Sequence, residues 1–107
     1  MARSPKPPKA YEAFVKRYPQ LAQAWELTAE AGRKGPLDAK TARLVKLAIA
    51  VGAGREGAVR AGVRKAAAEG IGRDAIEQVF ALAAGTVGFP ATVAVHSWAA
   101  DVLKGRR

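Results

Sequence analysis

The sequence predicts an all-α fold of about six helices. Apolar residues recur at spacings of three and four along most of the chain, the period of a helix with one buried face. Hydrophobic residues make up 50% of the 107 positions but aromatics only 7%, so the apolar content is mainly Ala, Val and Leu, and Ala is the strongest helix former. Gly and Pro fall between the periodic runs, where they punctuate helices rather than interrupt them.

The elements follow in order. Residues 1–9, with Pro5, Pro7 and Pro8, read as an extended basic tail, because proline has no amide hydrogen to continue a helix. A single domain is expected over residues 10–104, with a second basic tail at 105–107. Tyr11, Phe14, Val15 and Tyr18 have helical spacing and precede Pro19, which closes a first helix and opens a second. In that second helix Leu21, Ala24, Trp25 and Thr28 share one face, and Gly32-Arg-Lys-Gly-Pro36 is its stop.

Asp38 is placed to cap a third helix. Its residues Leu44, Val45, Leu47, Ala48 and Val51 are expected to face inward, while Lys40, Arg43 and Lys46 keep a spacing of three. After Gly52-Ala-Gly54, a fourth helix is expected over Glu56–Glu69, with Val59, Val63, Ala66 and Ala67 inward and Arg60 and Arg64 outward. Glu56 and Arg60 are suited to an i,i+4 ion pair. Asp74 opens a fifth helix that carries Ile76, Val79, Phe80 and Ala83, and Gly85 and Gly88 are expected to end it. Pro90 starts a sixth, whose expected buried stripe is Ala91, Ala94, Val95, Trp98 and Val102.

Composition excludes several classes of function. Zero cysteines remove disulfides, thiolate metal sites and thiol nucleophiles together, and fit a cytoplasmic protein. No metal and no cofactor are expected. Lys40, Arg43 and Lys46 break the longest apolar stretch, so no run reaches the roughly 18 residues of a membrane span. The formal charge is +9, which raises nucleic acid as a partner. However, Arg3, Lys6, Lys9, Lys104, Arg106 and Arg107 sit on the two tails, leaving a mildly basic domain whose nucleic-acid face would be Arg60 and Arg64.

Gly52-Ala-Gly54-Arg-Glu-Gly57 matches the G-x-G-x-x-G turn of dinucleotide-binding folds, in which glycines let the backbone approach a pyrophosphate. The preceding residues have a helical rather than a strand period, which favours a connection between two helices. A small dinucleotide binder stays open as an alternative.

One arrangement spans about two thirds of the chain. Leu37-Asp38 opens a helix, Arg55-Glu-Gly-Ala-Val-Arg60 begins the next, and Ala66 to Gly70 closes it; Ile76-Glu-Gln-Val79 and the turn Gly88-Phe-Pro90 follow. In order and spacing these resemble the carboxymuconolactone decarboxylase and alkylhydroperoxidase D family. The resemblance implies an all-α homo-oligomer, commonly a trimer or hexamer. It also implies an active site built on Cys-x-x-Cys-x-x-x-His with a glutamate one helix earlier. Carried over by position, the cysteines fall on Arg55 and Ala58, the histidine on Gly62 and the glutamate on Arg43. None of these can be the thiolate, the resolving thiol or the proton relay of a thiol peroxidase.

The expected function is therefore that of a divergent member without thiol peroxidase activity, holding a small anionic ligand in a degenerate pocket of the oligomer. Arg43, Arg55 and Arg60 are the candidate ligand-binding cations, since a guanidinium donates paired hydrogen bonds to carboxylate or phosphate. His96, the only histidine, is the remaining candidate, on the sixth helix with no partner nearby in sequence. Gly62 is expected to serve close packing, and the small residues of Ala66–Gly70 and Ala91–Ala100 to meet other subunits.

Overall fold

A computed structural model describes residues 9–105 of the chain. Six α-helices make up its regular structure: α1 (Lys9–Arg17), α2 (Pro19–Arg33), α3 (Ala39–Ala53), α4 (Glu56–Ala68), α5 (Arg73–Val87) and α6 (Phe89–Val102). The all-α expectation holds. Of the tails expected at 1–9 and 105–107, residues 1–8 and 106–107 lie outside the described residues, and Lys9 is the first residue of α1 rather than the end of a tail, because proline no longer interrupts the chain after Pro8. No described helix is long and apolar enough to cross a membrane.

Local chemistry explains the boundaries. Pro19 sits in the first turn of α2, where its missing amide hydrogen costs nothing and its fixed φ suits a helix. Asp38 has extended backbone and its carboxylate accepts from the Thr41 N–H at 2.8 Å, satisfying one of the orphan donors at the start of α3. That amide holds the Asp38 carboxyl below its ordinary value. Gly54 ends α3 at φ +67°, a left-handed conformation that costs any residue with a Cβ. Gly85 does not end α5: the helix continues to Val87 and Gly88 is its cap.

The core belongs to α3–α6. Leu47, Val51, Val59, Val63, Ala66, Ile76, Val79, Phe80, Val95, Ala99 and Leu103 are its centre, and α3 packs on α4 and α5 while α6 packs on α4 and α5. Each buried aliphatic or aromatic side chain contributes about 1.5–3 kcal/mol relative to exposure. The inward faces expected of α4 and α5 are found. On α3, Leu47 and Val51 are buried, but Val45 and Ala48 are exposed. On α6 the buried stripe is Val95, Ala99 and Leu103, with Trp98 and Val102 partly covered and Ala91 exposed. The α6 sequence is apolar almost all round, so its period could not fix which side turns inward. Ala66 and Ala99 are spent inside this core rather than at the surface.

The first two helices behave differently. They pack on each other, and among the described residues make no substantial contact with the other four. Neither buries a residue. Tyr11, Phe14, Tyr18, Leu21, Trp25 and Leu27 are all exposed, although spacing placed most of them on a shared helix face. The radius of gyration, 14.7 Å, exceeds the about 13 Å of a compact chain of this length.

Two outcomes test this account. Leu47→Ala should cost about 2–5 kcal/mol in denaturant unfolding, because the side chain is fully enclosed. Asp38→Ala should lower Tm at neutral pH. Because the folded-state carboxyl lies below its unfolded value, its contribution is complete above about pH 4–5 and fades as pH falls through the folded pKa. The Tm gap between wild type and variant should therefore close in acid.

Candidate functional site

The α3–α4 seam carries the positions expected to hold chemistry, and Gly62 explains how closely its helices approach. A Cβ added at Gly62 would lie 3.1 Å from Leu47 Cδ1, so the missing methyl makes room for the centre of the core. Gly62 therefore faces packed protein, not an open cavity. Ala58, one turn earlier, is exposed.

Arg43 and Arg55 sit at opposite ends of the seam. From Arg43 to the end of α3 the helix rises about 15 Å, and Arg55 lies just beyond, with extended backbone before α4. Its side chain makes no ion pair with any described residue. Arg43 is committed: its Nε donates to Glu69 at 3.2 and 3.3 Å and its Nη2 donates to Oε2 at 3.1 Å. With the Arg43 side chain only 18% exposed, this fork links the first turns of α3 to the end of α4.

The surroundings of that fork are over-supplied with positive charge. Lys46 is one turn after Arg43 on α3, and Lys65 is one turn before Glu69 on α4, so three cations share a face with a single carboxylate. The Lys65 ammonium is held below its ordinary value, first by burial, then by repulsion from Arg43 and Lys46 and more weakly from Arg64, with only Glu69 opposing. Spacing placed Lys46 one turn from Arg43 but did not reveal Lys65 as their neighbour, because a spacing pattern does not show which faces of two helices meet.

The other candidates are also paired. Arg60 donates from Nε to Glu56 at 2.9 Å, the i,i+4 pair expected from spacing, and from Nη1 to Asp101 on α6 at 2.7 Å. Both carboxylates raise its pKa further, Asp101 first. His96 Nε2 lies 3.1 Å from Glu77 Oε2, which also accepts from Arg73 Nε at 3.3 Å. Glu77 is thus the histidine partner that sequence did not reveal, brought over by the α5–α6 contact. Both side chains are solvent-accessible. The pair has the hydrogen bond of an oriented general base, but it lies at the surface rather than in a cavity.

A wide apolar groove lies elsewhere. A groove of about 500 Å³ runs between α3 and α5, lined by Leu44, Val45, Ala48, Gly52, Val79, Leu82, Ala83 and Val87, with Gln78 and Thr86 as its polar side chains. It contains no ionisable group and none of the family-matched positions, so it offers no acid–base chemistry. Gly52 and Gly54 belong to a helix end and its cap, and Leu47–Val51 is helix where a dinucleotide turn needs a strand.

A family model matches residues 19–101, and the family is the carboxymuconolactone decarboxylase family. No curated protein and no solved structure gives a significant match.

Packing at Gly62 is tested by size. Gly62→Val should destabilise by about 1–3 kcal/mol through overpacking against Leu47. Gly62→Ala should be near neutral, because about 1 kcal/mol of helix propensity offsets a smaller strain. Urea unfolding of the two variants gives both values.

Proposed function

The chain belongs to the carboxymuconolactone decarboxylase family, and we propose that within it this protein has no thiol peroxidase chemistry and instead binds a small anion at the Arg43–Lys46–Lys65 face. The first half follows from composition. The positions that match the thiol pair hold Arg55 and Ala58, and no cysteine exists elsewhere to replace them. The purified protein should not turn over an alkyl hydroperoxide with a dithiol donor.

The second half rests on one observation: three cations meet one carboxylate at the α3–α4 seam, and the Lys65 ammonium is disfavoured there. A bound carboxylate or phosphate supplies the missing negative charge and relieves repulsion that the folded chain otherwise bears. Arg43 keeps its fork on Glu69 and contributes its field, while the Lys65 and Lys46 ammonium groups donate to the anion. Arg60, paired with two carboxylates, and His96, hydrogen-bonded to Glu77, stand outside this site, as does Arg55 at the far end of the seam.

Thermal shift with inorganic phosphate and small carboxylates tests it. The wild type should gain stability with rising anion concentration. Lys65→Met should weaken that response about tenfold or more, the value of one charge-assisted hydrogen bond, and should melt higher than wild type in low salt because the repulsion is gone. Arg55→Ala should respond as wild type does. An anion response that survives Lys65→Met and Arg43→Ala, or that disappears in Arg55→Ala, refutes this assignment.

A further inference from the structure

We infer that the α3–α4 seam takes the phosphate backbone of a nucleic-acid duplex, with Lys46, Lys65 and Arg64 each contacting a phosphate and Arg43 adding its field. This rests on the small-anion function proposed above and deepens it: the anion is one unit of a phosphodiester chain. The helices place cations here without the acids that usually accompany them. α3 carries Lys40, Arg43 and Lys46 and no Asp or Glu, and the one acid within α4, Glu56, is spent on Arg60. Arg60 also pairs with Asp101, so the outward pair expected from spacing divides. Arg60 is neutralised, whereas Arg64, like Lys46 and Lys65, makes no ion pair with any described residue.

Packing gathers these cations. The two helices run antiparallel in a register fixed by the approach of Leu47 to Gly62 and by the Arg43–Glu69 fork, which brings Lys46 level with Lys65. Arg64, one residue before Lys65, is turned about 100° from it around α4. Arg43, Lys46 and Arg64 all oppose the Lys65 charge and Glu69 alone supports it, so one carboxylate serves four cations. Packed helices lie about 8–10 Å apart, and cations spread across two of them outreach a single phosphate; one strand of a duplex offers a phosphate about every 3.4 Å of its axis. Composition then selects the class of partner. Neither α3 nor α4 contains Phe, Tyr or Trp, so the face has no stacking platform for the bases of a single strand. Adsorption to an anionic membrane calls for apolar side chains beside the cations. α4 exposes no large hydrophobic residue, and Val45 of α3 lines the groove on the flank towards α5, with Ile49 one turn on. The contacts that remain are to backbone phosphates, which carry no base sequence.

The experiment is fluorescence anisotropy of a labelled DNA duplex titrated with the full chain between about 50 and 200 mM salt. The expected result is binding indifferent to base sequence and stronger than to a single strand of the same length. Its logarithm should fall against log salt with a slope of about −3 or steeper, from three phosphate contacts. Lys46→Met, Arg64→Met and Lys65→Met should each reduce the magnitude of that slope by about one, and Arg55→Met should leave it unchanged. None of the four residues is buried, so helical circular dichroism should be the same in all. Thermal shift with inorganic phosphate separates this inference from the function beneath it. Phosphate stabilisation that needs Lys65, without duplex binding at low salt, overturns the duplex assignment and leaves the small-anion site standing. No phosphate response and no duplex binding overturn both. Duplex binding with a salt slope unmoved by the three seam substitutions overturns the inference by placing the contact on other cations, as does tighter capture by anionic vesicles than by the duplex.

Discussion

The contact between Gly62 and Leu47 is the constraint on which the rest of the bundle depends. Leu47 is 1% exposed and reaches the centre of the core only because α4 presents no Cβ against it. This approach sets the distance between α3 and α4, which in turn lets Arg43 reach Glu69 across the seam. The same contact bears on chemistry. A side chain as large as histidine at position 62 would occupy the space that Leu47 fills. The close packing of Leu47 on Gly62 therefore leaves no room at this seam for a ring.

The four-helix part of the chain is complete inside and incomplete outside. Its buried residues form one continuous cluster, yet two helices add nothing to that cluster and several large side chains border a groove that holds no charge. A domain of this size has little volume for its surface, so it cannot enclose all the apolar area its helices carry. Half of the exposed large apolar side chains lie on the α1–α2 hairpin, and the rest are spread over Leu37, Val45, Ile49, Leu82, Phe89 and Val93.

Charge is distributed by a similar logic. Most carboxylates of α3–α6 are taken by specific cations: Glu69 by Arg43, Glu56 and Asp101 by Arg60, and Glu77 by Arg73, with His96 hydrogen-bonded to the same oxygen. Such exposed pairs add little stability individually. Their importance is that they remove certain arginines from the supply of free donors and leave others, so the chain's net charge of +9 says less about binding than the local shortage of carboxylates around Lys65.

The sequence by itself determined the helices and their ends, since these depend on neighbours in the chain. Pro19 opens α2, Asp38 caps α3 and the i,i+4 spacing joins Glu56 to Arg60. It also determined the absence of a thiol, which no fold can supply. Only the tertiary structure decided what each face meets. Periodicity placed Leu21 and Trp25 on one face of α2, but a stripe records that a face is apolar, not that its own chain covers it. Likewise Arg43, Arg55 and Arg60 look alike in a sequence. Their difference comes from Glu69 and Asp101, 26 and 41 residues away from Arg43 and Arg60, because the energy of a charge depends on distance in space.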